Sequence, residues 1–144
     1  MAKIFKLEVA QRQLDVAAAL FVARQDRIAI HTLAGAAEEI LGKLADCADQ
    51  KNMLDRMRLA AEERFGRAVD RRELSRLVNE SRNALKHAND PSENTLDYDE
   101  NHAEAMLFRA MVNYQLVTGT LTDGMEEALT VLRQEHPGIF ASET

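Results

Sequence analysis

Cysteine, tryptophan and proline are nearly missing from this 144-residue chain. Its single cysteine, Cys47, cannot close an internal disulfide and points to a reducing compartment. No cysteine cluster exists to hold zinc. There is no tryptophan and aromatic residues make up 5% of the chain, which leaves few rings for stacking bases. The longest uninterrupted apolar run, Val16 to Ala23, is eight residues, too short to span a bilayer. The first lysines, Lys3 and Lys6, are not followed by the apolar segment of a secretion signal. A Walker loop, G-x-G-x-x-G, G-x-S-x-G and H-E-x-x-H are all absent. The expectation is a soluble, cytoplasmic, single-domain protein with no membrane segment and no cofactor. A chain of this length buries about 70% of its unfolded surface, so it needs neither metal nor disulfide to fold.

The formal charge of −6 argues against a general nucleic-acid binder. The charge is unevenly spread. Residues 51–88 carry ten Lys/Arg against six Asp/Glu, whereas residues 89–144 carry two against eleven. A basic segment therefore runs into an acidic one. Charged, solvated helix faces are the ordinary explanation of such a pattern.

The apolar periodicity is helical throughout, and no stretch alternates with period two. In the first helix Ile4, Leu7, Leu14, Ala18 and Phe21 recur at helical spacing, with Gln11 intruding. Asp26 is placed to cap the second, whose stripe runs Ile30, Leu33, Ala37, Ile40, Leu44 and Cys47. The small residues Ala17 to Ala19 and Ala34 to Ala37 would let these two helices pack closely as an antiparallel pair. A third helix starts after Asn52, with Met53 or Leu54, Met57, Ala61 and Phe65 inward, and Gly66 loosens its end. Asp70 and Glu73 have capping-box spacing before a fourth, with Leu74, Leu77, Val78, Ser81 and Leu85 inward. The stretch 89–101, NDPSENTLDYDEN, reads as loop. Asn101 and Glu104 open a fifth helix that buries Leu107, Met111, Tyr114 and Val117 and ends at Gly119. Asp123 and Glu126 open a sixth with Ala128, Leu129 and Leu132 inside, stopped by HPG at 136–138. The expected fold is all-α, an up-and-down bundle of about five to six helices with no sheet, spanning 1–144.

Two histidines and their neighbours are the candidate sites. Arg82, Asn83 and His87 lie together near the end of the fourth helix, with Lys86 between. An arginine can hold non-bridging phosphate oxygens, and an imidazole can exchange a proton near neutral pH. Arg82 and His87 could thus act on a phosphodiester without metal. Helical geometry opposes this, because five residues at about 100° each set the two about 140° apart. Asn83 shares the face of His87, and Lys86 shares that of Arg82. A bent helix end or a second subunit would be needed to join them. The structural alternative makes Arg82 a surface ion and His87 a partner of the last helix carbonyls. His31, beside Ala34 and Gly35, could share a binding pocket with His87 or be a satisfied, half-buried histidine. Asp99-x-x-His102 approaches the Glu-x-x-His spacing of di-iron bundles but has no second copy, so no metal is expected.

The Arg82-Asn83-x-x-x-His87 pattern, late in a helix of a small all-helical chain, resembles the motif of the HEPN family. That resemblance implies a helical bundle that pairs as a homodimer, and a metal-independent endoribonuclease of toxin or defence type acting on RNA. It implies catalytic roles for Arg82, Asn83 and His87, with Lys86 adding positive field. Other members of the family only bind a ligand or a cognate protein. AIHTLAGAAEEIL at 29–41 together with KHANDP at 86–91 also looks like a group of small bacterial proteins of unknown function. That likeness implies a site centred on His87 and His31. Two functions stand as expectations: the endoribonuclease, and a non-catalytic ligand-binding or protein-interaction dimer.

Overall fold

The computed structural model describes residues 1–48, 53–87 and 91–140. They form seven α-helices, one short 3-10 turn and no strand: α1 Lys6–Val22, α2 Arg27–Cys47, α3 Met53–Phe65, α4 Arg71–Lys86, α5 Asn101–Thr118, α6 Asp123–Glu135 and α7 Pro137–Phe140, with the 3-10 turn at Pro91–Asn94. The fold is a helical bundle, and the four-residue α7 is the element beyond the expected six. Among the described residues no helix is long and apolar enough to cross a membrane.

The turns follow from local chemistry. α1 ends in a Schellman arrangement: the Gln25 amide donates to the Leu20 carbonyl at 2.8 Å and the Arg24 amide to that of Phe21 at 3.0 Å. Arg24 takes the left-handed conformation that glycine usually supplies, at φ 55°. Asp26 Oδ1 then accepts from the Ala29 amide at 2.8 Å and starts α2. Asp70 caps α4 by accepting from the Arg72 amide at 3.0 Å. The capping box is not completed there, because Glu73 turns outward to Arg76, whose Nη2 donates to it at 2.6 Å. Gly119 closes α5 at φ 82°, as its spacing predicts. Thr122, rather than Asp123, caps α6, and its hydroxyl also donates to Asp15 of α1 at 2.6 Å.

α2 is the central helix. It packs most extensively on α5 and α1, while α6 lies on α1. One stripe of α2, Ile30, Ala34, Ala37 and Leu41, enters a core shared with Leu14, Ala17, Ala18 and Phe21 of α1 and Met106, Leu107, Ala110 and Met111 of α5. Of the alanines expected to allow close approach, Ala17, Ala18, Ala34 and Ala37 are fully buried at 0% exposure, whereas Ala36 is half-buried and Ala19 exposed. α3 and α4 form a hairpin held against α2 and α5 by much smaller interfaces.

The departures from the expected stripes occur where this hairpin and the chain ends leave helix faces uncovered. Ile4 precedes α1 and is exposed, Cys47 ends α2 in solvent, and Leu77 of α4 is 53% exposed. Val117 is half-buried rather than buried. The expectations for Asn52 and for the side chains of Met53, Phe65, Val78 and Ser81 lie outside the described residues.

Candidate functional site

A second stripe of α2, one residue round from the core stripe, is made of His31, Gly35 and Glu38. All three are buried, and each meets a group from another element. On α5 the matching stripe is His102, Met106, Arg109 and Asn113, spaced by four, three and four residues. On α4 it is Asn79 and Arg82.

These stripes converge on one carboxylate. Arg82 Nη1 donates to Glu38 Oε2 at 3.0 Å, and Arg109 Nη2 donates to Glu38 Oε1 at 3.0 Å. Asn113 Nδ2 donates to the same Oε1 at 3.5 Å, and Arg109 Nη2 also reaches Asn79 Oδ1 at 3.2 Å. Glu38, Arg82 and Arg109 are 6%, 8% and 5% exposed. Two guanidiniums thus share one carboxylate away from water. Burial pushes the Arg109 guanidinium down from its ordinary range, against the pull of Glu38. Gly35 makes the arrangement possible. A Cβ there would lie 2.8 Å from Arg82 Cδ and 2.9 Å from Cγ, so glycine lets the arginine stem cross α2 to its partner.

His31 is fully buried below this cluster, with its ring 6.2 Å from that of Tyr98. Its pKa falls to about 4 because burial penalises the imidazolium, and the charges of His102, Arg109 and Arg82 push the same way. It is therefore a neutral core histidine at neutral pH. Of the two expectations for His31, a pocket shared with His87 or a half-buried structural histidine, the structure shows a buried one, with His87 elsewhere.

His87 is the residue after α4, in extended conformation and exposed. With Asn83 it lines a groove of about 440 Å³ that also includes Arg76, Glu80 and Glu93. A cavity of about 480 Å³ continues from it, sharing Glu80, Ala84 and Leu96, over a floor of Ala105, Met106 and Arg109. Met57, Leu77, Asp97 and His102 complete that cavity. The two form a trough along α4, walled by the 91–97 segment. Lys86 points to the opposite side, where it pairs with Glu39 at 3.5 Å in a cleft beside Lys6 and Lys43.

The four residues of the RNALKH stretch thus fall into three surroundings. Asn83 and His87 come together, Arg82 turns into the Glu38 cluster, and Lys86 faces Glu39. Arg109 and Asn113 were missed, and so was the role of Glu38 as their partner. A signal for Glu38 existed in its spacing of three from Gly35 and seven from His31. Asp99 and His102 do not form a metal set. Among the described residues the one group with ligand spacing is Glu104, Glu135 and His136. There Arg27 pairs with Glu104 and Arg24 with Glu135, each at 3.2 Å, and His136 Nε2 hydrogen-bonds Glu104. Nearby cations already answer both carboxylates, so a metal ion is disfavoured. Comparison of the chain with family models, with curated proteins and with solved structures returns no match.

Two outcomes follow. Replacing Glu38 with Ala leaves two buried guanidiniums unanswered, and chemical denaturation should show a loss of about 3–5 kcal/mol. An unchanged midpoint would mean that water replaces the carboxylate. For His31 the folded pKa of about 4 lies below the ordinary histidine value of 6.5, so the unfolded chain binds the extra proton. Stability from this group is complete above that value and falls as pH drops toward 4. The wild-type advantage over His31→Gln should therefore shrink by up to about 1.4 kcal/mol per pH unit across that window. Parallel stability curves for the two proteins would refute this assignment.

Proposed function

We propose that this protein is a non-catalytic helical binding protein whose trough along α4 takes a small, largely apolar molecule. The observation that carries the reading is the fate of Arg82. The guanidinium that a nuclease would aim at phosphate is 8% exposed and spends its charge on Glu38. Its contribution is to hold α4 against α2, which keeps the trough wall in place. The trough itself suits a ligand. The two joined cavities, about 480 and 440 Å³, fall in the size range of small-molecule sites. Leu77 and Leu96, 53% and 44% exposed, present apolar surface on it.

The probe for this reading is Nile red, a neutral dye that brightens in apolar cavities. Wild type should give a saturable rise in fluorescence. Ala84→Trp should abolish it, because Ala84 is exposed and lines both cavities, so the indole fills the trough without disturbing the core. An equal rise in both proteins would place the dye elsewhere and reject the trough.

A second reading keeps the metal-independent endoribonuclease, supported by one observation: Asn83 and His87 line the same groove as Arg76. In it Arg76 would take the phosphate role and His87 would transfer the proton. A homodimer would supply a further basic wall for RNA. Wild type would then cleave RNA in EDTA, and His87→Ala would lose about 10²–10⁴-fold, the worth of one acid–base group. Equal cleavage by both proteins would assign the activity to a contaminant.

A further inference from the structure

We infer that the trough selects an organic cation, a primary ammonium on an apolar body, over anionic or neutral molecules of the same shape. The inference rests on the trough being a binding site and adds the charge of its occupant. It comes from which of the charged groups around the trough are already answered. Arg76, at one end, is held by Glu73 through two hydrogen bonds, at 2.6 and 3.2 Å. Arg109, on the floor, is 5% exposed and gives its Nη2 to Glu38 and Asn79. Arg76 therefore has a carboxylate of its own, and Arg109 is buried and shares Glu38 with Arg82. Glu80 and Asp97 have no such close partner, although the charge of Glu80 acts on Arg76 one turn back along α4. Both are exposed on the trough, and neither forms an ion pair among the described residues. Glu80 lines both cavities from α4, and Asp97 lines the larger one from the 91–97 segment. The same cavity carries the apolar lining of Met57, Leu77, Leu96 and Met106.

An ammonium at the mouth would meet two carboxylates that form no close ion pair and leave its chain on this lining. A carboxylate or phosphate there would meet like charge, and like charges side by side oppose binding. The guanidiniums offer it little, since Arg76 is held by Glu73 and Arg109 is buried with its Nη2 engaged by Glu38 and Asn79. The same distribution disfavours a polyanion such as RNA along this wall, because Glu80 also faces the groove of Asn83 and His87.

The test compares three probes of one length, octylammonium, octanol and octanoate, titrated calorimetrically into wild type, Ala84→Trp and the double variant Glu80→Gln/Asp97→Asn. At low salt, octylammonium should bind wild type about tenfold more tightly than octanol, with octanoate weaker still. The double variant should bind octylammonium and octanol alike, and Ala84→Trp should bind none of the three. Both substituted carboxylates are exposed, so the double variant should keep the wild-type fold, which circular dichroism checks. Octanol or octanoate binding wild type as tightly as octylammonium, and lost in Ala84→Trp, would overturn the cation selectivity and leave the trough standing. Binding that survives Ala84→Trp, or no binding of any probe, would overturn both.

Discussion

One carboxylate organises the polar half of this molecule. Glu38 accepts from Arg82 of α4 and from Arg109 of α5, one oxygen to each at 3.0 Å. It thus ties three helices at a point where apolar packing alone is thin. The interface between α2 and α4 is small, and α4 is otherwise supported by α3. A buried ion pair of this kind gives little net stability over an apolar substitute, because desolvating the charges offsets their attraction. What it fixes is register. Only one rotation of α4 about its axis brings Arg82 past Gly35 to Glu38, with its stem filling the space a Cβ would occupy.

That rotation decides what the rest of α4 displays. With Arg82 turned inward, Asn83, Ala84 and His87 lie along the trough, and Lys86 falls on the far side against Glu39. The surface chemistry of α4 is therefore a consequence of one buried contact. The neighbouring charges follow the same logic: arginines near the trough have carboxylate partners, whereas Glu80 and Asp97 are left facing the cavity. The binding reading and the ligand charge proposed for it both rest on this sorting.

Much of the fold was legible in the chain. Asp26, Asp70 and Gly119 mark helix ends for reasons of hydrogen bonding and backbone freedom that act locally. The alanines of α1 and α2 announced a close helix pair, and Ala17, Ala18, Ala34 and Ala37 are buried in it. Leu77 failed the same periodic argument because α4 has little of the bundle to face, so an apolar position at inward spacing lies half in water. The candidate site was legible in part. Helical spacing separated the faces of Arg82 and Lys86 from those of Asn83 and His87, and the structure keeps that separation. It gave no hint that the Arg82 face was the buried one.

Charged side chains are where sequence and structure part. Glu38 and Glu39 are adjacent and chemically alike, yet one lies between two guanidiniums and the other on the surface between Lys43 and Lys86. Periodicity, capping and small-residue spacing depend on residues a few positions apart, so the sequence by itself determined the helices, their ends and the tight pairing of α1 with α2. The partner of a buried charge lies far along the chain: 44 residues separate Arg82 from Glu38 and 71 separate Arg109 from it. Only the packing of α4 and α5 on α2 chooses that partner, because the cost of burying a charge is met by whichever opposite charge the assembled helices bring within reach. The tertiary structure alone decided that Arg82 supports the fold and that the exposed face of α4 belongs to Asn83, Ala84 and His87.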